Sequence, residues 1–435
     1  MSSLSTIALS PFLKPINKSI TLPGSKSFTN RALIMAALSD GQSVITGASE
    51  SDDCRIMVSA LKKLGVKIKK SGNRLVVFGN NGEFRPFKGK IDVGAAGTAA
   101  RFLLAICALA PGEIILDGTY RMRQRPINEL VNALRKLGAG IQYQKKANYL
   151  PVKLRGGNLT GRKVSLPGRI SSQFFTSLLL IAPVLKKGIE ISAIGGQISK
   201  SYIDMTLDGL KKHGVRIKNQ DYKKYIVRPD ARYKPGHYRI EGDASGASYF
   251  FALAALTKSR IRIKNILPDS SQGDAKFPDL LKRMGAKVIK NQKENWIEVS
   301  GTGRLKGISV NMENMPDTAQ TLAVVAAFAK GKTKITGLST LRHKETDRLK
   351  ALKTELKKMG IKSQTTENSI TIAGGQPRGA KIKTYDDHRM AMAFAVAGAR
   401  IPDVIIENPG VVSKSFPEFW RMLKKAGVKI TNKNK

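Results

Sequence analysis

Six copies of one short pattern divide the chain into nearly equal parts, and this repetition constrains the fold more than any other feature of the sequence. Each copy has two basic residues, one further residue and a glycine, followed by a β-branched or small residue. The glycines lie 67 to 76 residues apart and are Gly65, Gly138, Gly214, Gly285, Gly360 and Gly427. Basic residues in a last turn and glycine just after it are typical of a helix C-terminus. Each copy is therefore predicted to end an amphipathic helix and to begin a short strand.

A second series of motifs has the same period. In each repeat a polar cluster directly precedes an apolar run of helix length. The clusters lie 71 to 74 residues apart and are marked by Lys26, Thr98, Ser172, Ser245, Asp317 and His388. A helix that is apolar nearly all round is buried, and its unpaired N-terminal N–H groups favour an anion. Six such termini directed at one place would form an anion site.

The segments between these helices resemble strands, so the repeat predicts an α/β architecture. They read RLVVFG, EIILDG, IEISAI, RIRIKNI, ISVNM and VIIEN. A single hydrophobic core stops growing at about 250 to 300 residues. The 435 residues therefore divide most simply into two domains of three repeats.

The composition excludes several classes of protein. A chain that is 41% hydrophobic can bury a core, and only two cysteines, Cys54 and Cys107, exclude a disulfide framework and a cysteine-rich zinc site. No apolar run reaches the length of a membrane span, and no signal or transit peptide is apparent at the start. We expect a soluble, cytoplasmic protein with no membrane partner.

The net charge of +43 predicts anionic partners but does not by itself separate nucleic acids from phosphorylated metabolites. Part of the excess is the basic pair in each repeat, which the repeat scatters around the molecule. A nucleic-acid groove would instead combine a basic stripe with interleaved aromatic residues. We therefore expect no nucleic-acid partner, and we read much of the excess as surface lysine.

Three motifs in the first third of the chain carry groups that could bind a ligand, and the first of them fits a phosphate site. In LPGSKSFTNRA, Ser27 and Arg31 lie four residues apart on one helix face, although an N-cap serine beside two solvated cations fits the same letters. In GAAGTAAR, Gly97 would let a ligand approach the backbone closely. In RMRQRP, Arg125 precedes Pro126, which suits the first turn of a helix, and a solvated charge run is the alternative.

Two motifs in the second half of the chain add candidate charges. In LRHKETDRLKAL, helical spacing places Lys344 and Arg348 on one face with Glu345 beside Arg348. A surface helix with ion pairs is the alternative for this motif. In TYDDHRMAM, His388 and Arg389 stand at the start of an apolar helix, where a preceding aspartate would serve as the cap.

These motifs in this order resemble the 5-enolpyruvylshikimate-3-phosphate synthase family from about residue 22 to residue 425. The markers are LPGSKSFTNRAL, GAAGTAAR, RMRQRP, SSQF, SKSYID, EGDASGASYF, QGD, PDTA, RHKETDRL, TYDDHRMAM and SKSFPEF. The resemblance implies two similar domains, each of three βαβαββ repeats with buried parallel helices (an inside-out α/β barrel), and an active site in the interdomain cleft. The first domain would be residues 23–242, and the second would be 1–22 with 243–435.

The resemblance also implies the reaction. The enolpyruvyl group of phosphoenolpyruvate moves to the 5-hydroxyl of shikimate 3-phosphate and phosphate leaves, without a cofactor or a metal, in the shikimate pathway to chorismate and aromatic amino acids. Glyphosate mimics phosphoenolpyruvate in this family, and because Gly97 is kept we expect it to inhibit this protein. We expect a monomer whose partners are these two small molecules.

The site residues follow from the resemblance, motif by motif. Shikimate 3-phosphate would contact Lys26, Ser27, Arg31, Ser171, Ser172, Gln173, Ser199, Asp317 and Lys344. Phosphoenolpyruvate would contact Lys26, Gly97, Arg125, Gln173, Arg348, Arg389 and Lys414. Thr340 and His388 complete the substrate-binding set.

Three of these residues would carry the chemistry. Asp317 is the expected base for the hydroxyl, Glu345 the expected acid at the methylene carbon, and Lys26, with Lys414, would stabilise the leaving phosphate. The cations beside Glu345 favour its ionised form, whereas an acid needs a proton, so desolvation would have to reverse their effect.

Two positions depart from the family pattern. Ala95 stands where the family commonly has the asparagine of GNAGT, which removes an amide that would bond phosphoenolpyruvate. Thr340 stands where an asparagine often assists shikimate 3-phosphate. We expect activity to survive both changes, with weaker substrate binding.

Two other functions have to be distinguished from this one by experiment. The sister transferase that acts on UDP-N-acetylglucosamine commonly carries a reactive cysteine in the loop matching RMRQRP and an SGAKN block, and this chain has neither. A polyanion-binding or RNA-binding repeat protein would show affinity that falls steeply with salt and no turnover.

Overall fold

The chain starts in one structural unit, forms a second, and then returns to the first. The computed structural model describes residues 5–12 and 14–433. The outer unit comprises Met1–Pro23 and Gly242–Lys435, and the inner unit is Gly24–Glu241. The described part of the chain opens in the outer unit with strands β1 (Thr6–Ser10) and β2 (Asn17–Thr21). Within the described residues, no helix is both long enough and apolar enough to cross a membrane.

The inner unit alternates buried and amphipathic helices, as the repeat predicts. The buried helices are α1 (Lys26–Ala37), α3 (Gly97–Leu109) and α5 (Ser172–Ile181), and the amphipathic helices are α2 (Asp52–Lys63), α4 (Asn128–Lys136) and α6 (Lys200–Lys212). The strands are β3 (Asp40–Thr46), β4 (Lys67–Ser71), β5 (Arg74–Asn80), β6 (Phe87–Asp92), β7 (Gly112–Asp117), β8 (Gly140–Tyr143), β9 (Val152–Arg155), β10 (Lys163–Pro167), β11 (Ile189–Ile194), β12 (Lys218–Gln220), β13 (Lys224–Val227) and β14 (His237–Arg239). They form sheets ordered β14-β3-β5-β4, β6-β7-β9-β8 and β10-β11-β13-β12.

The outer unit repeats the same plan. Its buried helices are α7 (Ala244–Leu256), α9 (Ala319–Ala327) and α11 (His388–Gly398), and its amphipathic helices are α8 (Phe277–Met284), α10 (Arg348–Lys358) and α12 (Phe419–Lys425). Its remaining strands are β15 (Arg260–Lys264), β16 (Lys287–Asn291), β17 (Trp296–Ser300), β18 (Ser309–Asn311), β19 (Lys332–Thr336), β20 (Ser363–Thr365), β21 (Ile370–Ala373), β22 (Lys381–Ile382), β23 (Val404–Glu407) and β24 (Lys429–Asn432). The sheets are ordered β2-β15-β17-β16, β18-β19-β21-β20 and β22-β23-β1-β24.

Each sheet has one parallel pair of strands followed by antiparallel neighbours, which is the signature of a βαβαββ repeat. In β6 and β7, for example, Ile91 pairs with Leu116 in a parallel register, and β9 then pairs with β7 in the antiparallel sense. A parallel pair needs a crossover helix, and in four of the six sheets of the described residues a buried helix joins the two parallel strands directly, namely α3, α5, α9 or α11. The fold is therefore the predicted α/β architecture of two similar three-repeat units.

The chain enters and leaves the inner unit through exchanged strands. Strand β2 occupies the first position of the sheet that β15 continues, yet the helix that follows β2 along the chain is α1 of the inner unit. Conversely, β14 pairs in parallel with β3 of the inner unit, and α7 of the outer unit follows it. The sheet that contains β3 is thus completed by β14, from the end of the inner unit's sequence. The sheet that contains β15 is completed by β2, from the N-terminal segment of the outer unit.

The buried helices of each unit pack side by side. In the inner unit, Arg31 of α1 lies over the ring of Phe102 of α3 and donates to Thr206, whose hydroxyl also contacts Thr176 of α5. Gln173 and Thr98, the second residues of α5 and α3, are joined by a hydrogen bond, so these two helices start at the same end. In the outer unit, Arg389 in the first turn of α11 contacts Ser245 in the first turn of α7 and Asp317 just before α9. The starts of α7, α9 and α11 therefore lie together within that unit.

The amphipathic helices end as the sequence predicts. All six glycines of the dibasic pattern have a positive φ, between 78° and 114°, just beyond the helices. A left-handed residue at this position closes the last helical turn, and glycine adopts it with little strain. The periodic glycines therefore mark six helix C-termini.

Replacing Gln320 by Met is expected to stabilise the outer unit. Gln320 of α9 is fully buried, and among the described residues neither its Oε1 nor its Nε2 has a hydrogen-bond partner. A buried polar group without a partner costs about 1–3 kcal/mol, and Met has a similar shape. Urea unfolding should show a free energy of unfolding higher by about 1–3 kcal/mol for Gln320→Met, with no gain for the exposed Gln364→Met. Equal stability of Gln320→Met and the wild type would contradict the burial argument.

Candidate active site

The N-terminus of α1 carries a buried ion pair. The Nζ of Lys26 lies 2.9 Å from Oδ2 of Asp53, and the side chains are 12% and 2% exposed. Asp53 belongs to the first turn of α2. Because a charge this buried needs a counterion, Asp53 fixes the position of Lys26. No pattern in the sequence predicts this pairing.

Arg31 is held inside the inner unit. Its Nε donates to the hydroxyl of Thr206, Nη1 to the carbonyl of Ser27 and Nη2 to the carbonyl of Tyr202, at 2.9, 3.0 and 2.9 Å. Burial lowers the pKa of Arg31 to about 10, which leaves it cationic at neutral pH. Two Nη hydrogens remain after these three bonds, so the predicted contact of Arg31 and Ser27 with phosphate stays a prediction.

The first turn of α3 packs against the guanidinium of Arg125. A Cβ added at Gly97 would lie 2.4 Å from Nη1 of Arg125, so only glycine admits the guanidinium here. The next residue, Thr98, accepts a hydrogen bond from Nε2 of Gln173 at 3.2 Å, which ties the starts of α3 and α5 together. Pro126 does not open a helix as expected, because α4 begins two residues later at Asn128. The structure thus brings Gly97, Arg125 and Gln173 together.

Gly97→Ala is expected to displace Arg125. Because the new methyl group would overlap the guanidinium, Arg125 must move by about 1 Å, and misplacing a substrate-binding group by that distance lowers activity by up to about 100-fold. We expect a KM for phosphoenolpyruvate at least tenfold higher, measured by steady-state kinetics. Gly375→Ala is the control, since its added Cβ would meet one methyl carbon of Ile361 at 3.8 Å. An unchanged KM for Gly97→Ala would remove Arg125 from the site.

Three serines of the inner unit stand at helix starts. Ser171 caps α5 by accepting a hydrogen bond from the N–H of Gln173. Ser172 is the buried first residue of that helix. Ser199 precedes α6 in a left-handed conformation with φ of 52°. All three belong to helix starts of the inner unit.

In the outer unit one buried arginine gathers three carboxylates. Arg348 is 1% exposed and donates to Asp387 at 2.7 Å, to Asp317 at 3.1 Å and to Glu345 at 2.9 Å. Desolvation lowers the pKa of Arg348, but the three carboxylates outweigh it and raise the pKa above its ordinary value. Asp387, which the sequence suggested only as a cap, is fully buried and both caps α11 and binds Arg348. The two expected catalytic carboxylates, Asp317 and Glu345, are thus fixed by one guanidinium.

The expected helical spacing of Lys344, Glu345 and Arg348 is wrong. Helix α10 begins only at Arg348, because Asp347 caps it by accepting a hydrogen bond from the N–H of Lys350. The predicted pairing of Glu345 with Arg348 still forms, since the preceding segment folds back over the helix start. Lys344 turns instead to Asp317, with 3.6 Å between its Nζ and Oδ1.

The remaining expected residues of this half lie nearby. Arg389 donates to Asp317 at 2.9 Å, and Lys414 lies 3.2 Å from Glu345. The hydroxyl oxygen of Thr340 is buried and has no hydrogen-bond partner among the described residues. The His388 ring is only 1% exposed, so it offers little surface to a ligand, and its predicted substrate contact stays a prediction.

A fourth carboxyl group joins this cluster. Asp274 is buried and accepts a hydrogen bond from Ser245, whose hydroxyl also contacts Arg389 at 3.4 Å. Burial, and then the charge of Asp317, raise the pKa of Asp274 to about 7. Asp274 is the aspartate of the family marker QGD, and its sequence motif alone gives no sign of this burial.

The raised pKa of Asp274 predicts a change in stability with pH. The folded protein holds this proton up to about pH 7, whereas the ordinary value is 3.8. The stabilisation is therefore complete below about pH 4 and is lost as the pH rises through 7. Relative to wild type, Asp274→Asn should gain up to about 1 kcal/mol per pH unit between pH 4 and pH 7 in urea unfolding. Asp269→Asn, at an exposed position of the same unit, is the control; parallel curves for wild type and Asp274→Asn would contradict the shift.

Both cysteines are buried thiols. Burial raises the pKa of Cys54 and of Cys107 to about 12, so each is protonated at neutral pH. A cysteine nucleophile acts as the thiolate. Neither residue therefore fits the reactive cysteine of the sister transferase.

The described residues thus form a repeat-built α/β protein with six buried helices in two units. Basic side chains and paired carboxylates lie near the N-termini of these helices, as in a protein that binds anionic molecules. The family model for EPSP synthase (3-phosphoshikimate 1-carboxyvinyltransferase) matches residues 12–430, and the chain belongs to that family.

Comparisons with known proteins agree. The chain is 42% identical over 423 residues to a protein of Marinomonas sp. named 3-phosphoshikimate 1-carboxyvinyltransferase, covering 96% of this chain and 99% of that one. A protein of the same name from Aliivibrio salmonicida is 42% identical over 426 residues, with the same coverage. The solved structure of EPSP synthase from Acinetobacter baumannii superposes with a TM-score of 0.83 at 25% identity, covering 99% of this chain and 100% of that one.

Proposed function

We propose that this chain catalyses the reaction of its family. The enolpyruvyl group of phosphoenolpyruvate is transferred to the 5-hydroxyl of shikimate 3-phosphate, with release of phosphate, in the shikimate pathway to chorismate. The observation that carries the proposal is the array around Arg348, where one buried guanidinium holds both Asp317 and Glu345. Two carboxyl groups in fixed positions are what a reaction with two proton transfers needs.

The proposed binding groups are cations and helix starts. Each substrate carries a phosphate and a carboxylate, and a hydrogen bond to a charged group contributes about 1.5–3 kcal/mol. We assign shikimate 3-phosphate to Lys26, Ser27, Arg31, Ser171, Ser172, Gln173, Ser199, Asp317, Thr340 and Lys344. His388 belongs to the proposed substrate-binding set without assignment to one substrate. We assign phosphoenolpyruvate to Lys26, Gly97, Arg125, Gln173, Arg348, Arg389 and Lys414. The two lists draw on both units, so we propose that the units act together.

The proposed chemistry is an addition followed by an elimination. Asp317 accepts the proton of the 5-hydroxyl as its oxygen bonds to C2 of phosphoenolpyruvate, and Glu345 donates a proton to the methylene carbon. In the second step Glu345 takes a proton back from the new methyl group as the C2–O bond to phosphate breaks, and the departing phosphate takes the proton held by Asp317. Lys26 and Lys414 stabilise the charge on the departing phosphate.

A phosphate-release assay tests this function. Release should require phosphoenolpyruvate and shikimate 3-phosphate together, with no release when either is omitted. Replacing shikimate 3-phosphate by UDP-N-acetylglucosamine should give no release, and release with that acceptor would favour the sister activity. Binding to RNA that weakens steeply with salt, without any turnover, would instead favour the polyanion-binding alternative.

We further propose that the protein works as a monomer in the cytoplasm, without a nucleic-acid partner, a membrane partner, a metal or a cofactor. The substrates of the proposed reaction are small molecules of central metabolism, and the chemistry assigned above uses side chains alone. Light scattering should report a mass near 47.4 kDa. A mass of twice that value at micromolar concentration would contradict the monomer.

A further inference from the structure

The turn that precedes α11 is strained. Tyr385 and Asp386 both have a left-handed backbone, with φ of 55° and 54°, directly before the capping residue Asp387. Such a conformation in residues other than glycine costs about 1–3 kcal/mol each and persists only where the surroundings enforce it. The contacts that enforce it here therefore determine where Asp387 and the start of α11 lie.

A buried carboxylate holds one side of this turn. Oε1 of Glu355 accepts a hydrogen bond from the Tyr385 hydroxyl at 2.6 Å, and Oε2 accepts from the Lys383 backbone N–H at 3.1 Å and from Lys358 Nζ at 2.7 Å. Glu355 is fully buried. Burial, and then Glu355, raise the pKa of Tyr385, so the phenol stays a donor at neutral pH. Removing that donor would leave a buried carboxylate oxygen without its partner.

A second contact holds the other side. Nδ2 of Asn408 donates to Oδ1 of Asp386 at 2.8 Å, and Asn408 is itself left-handed with φ of 47°. Asn408 directly precedes the short 3-10 helix Pro409–Lys414, which carries Lys414. The two left-handed residues are thus each bound by a side chain from a different segment.

The held turn lies next to the candidate arginines. Glu355 and Arg348 are seven residues apart on α10 and so lie on one face of that helix. Arg348 bonds Asp387, and Asp387 caps Arg389 through its backbone N–H at 2.9 Å. Helix α10 therefore contacts the turn at two points: Arg348 pairs with Asp387, and Glu355 accepts a hydrogen bond from Tyr385.

We propose that Tyr385 and Glu355 are positioning residues for the phosphoenolpyruvate-binding arginines Arg348 and Arg389. The hydrogen bond between them fixes the turn, and the turn fixes Asp387 and both guanidinium groups. Neither residue touches substrate in this proposal. The inference rests on the proposed function, since it gives the hydrogen-bonded turn a role in the proposed phosphoenolpyruvate site.

Tyr385→Phe tests the proposal, because it removes one oxygen and keeps the ring. We expect the KM for phosphoenolpyruvate to rise about tenfold, the loss of one hydrogen bond to a charged group, while the dissociation constant of shikimate 3-phosphate changes less than about twofold. Asn408→Gly should act in the same direction, since glycine also adopts the left-handed backbone and the substitution removes the side chain that donates to Asp386. A purely structural loss would instead lower the amount of folded enzyme and leave KM unchanged.

The inner unit supplies the control. Tyr222 is left-handed with φ of 56° and donates to Oδ1 of Asp204 at 2.6 Å, but its turn joins β12 to β13 and leads to no candidate site residue. Tyr222→Phe should leave both substrates unaffected. The proposal is overturned if Tyr385→Phe and Asn408→Gly both keep the wild-type KM, or if Tyr222→Phe raises it equally. No turnover by the wild type would overturn the proposed function and this inference with it.

Discussion

Glu345→Gln is expected to lower kcat by about 10²- to 10⁴-fold, the usual contribution of a positioned general acid. The amide keeps an oxygen that can accept from Arg348, which lies 2.9 Å from Glu345 in the wild type. We therefore expect the dissociation constants of both substrates to stay within about threefold of wild type. Single-turnover kinetics with equilibrium binding separates the two effects.

Glu367→Gln is the control for that experiment. Glu367 is an exposed carboxylate of the same unit, and its replacement should leave kcat unchanged. A kcat for Glu345→Gln close to the wild-type value would remove Glu345 from the acid role. A large loss of binding with unchanged kcat would make it a binding residue instead.

Arg348→Met is expected to lower the free energy of unfolding of the outer unit by about 3–5 kcal/mol. The substitution keeps much of the side-chain volume but leaves three carboxylates without their shared cation, and Asp387 is fully buried. Removing one partner of a buried ion pair leaves an uncompensated charge, which is far more destabilising than losing an exposed pair. Denaturant unfolding followed by circular dichroism measures the change.

Arg421→Met shows what an ordinary arginine contributes. Arg421 is 59% exposed and pairs with Glu418 one turn away, so its replacement should cost less than about 1 kcal/mol. If Arg348→Met and Arg421→Met were equally stable, Arg348 would not be the cation that balances this cluster. Activity of Arg348→Met should also be lost, because Asp317 and Glu345 lose their common anchor.

The architecture could be predicted from the sequence because the signals are local and repeated. A glycine after two basic residues ends a helix wherever it occurs, and apolar runs after polar clusters mark the buried helices. Because these local signals recur six times, they predict two domains of three repeats. They also predict that the N-termini of the buried helices lie together. The strand RLVVFG, for example, is β5.

The charge pairs within the site could not be predicted in the same way. Lys26 meets Asp53, and Arg348 meets Asp387, across helices that only the folded chain brings together. The prediction that Lys344 lies on a helix is wrong for a local reason. Asp347 caps α10, so the helix starts only after it. The left-handed turn at Tyr385 depends on Glu355, thirty residues away, and no local pattern reveals it.

A crystal structure of the chain with shikimate 3-phosphate and glyphosate tests the central claim most directly. The account predicts the sugar phosphate beside Ser27 and the serines that start α5, the inhibitor against Arg125, Arg348 and Arg389, and the 5-hydroxyl within hydrogen-bond distance of Asp317. Ligands bound elsewhere, or an Asp317 carboxylate remote from the 5-hydroxyl, would contradict it.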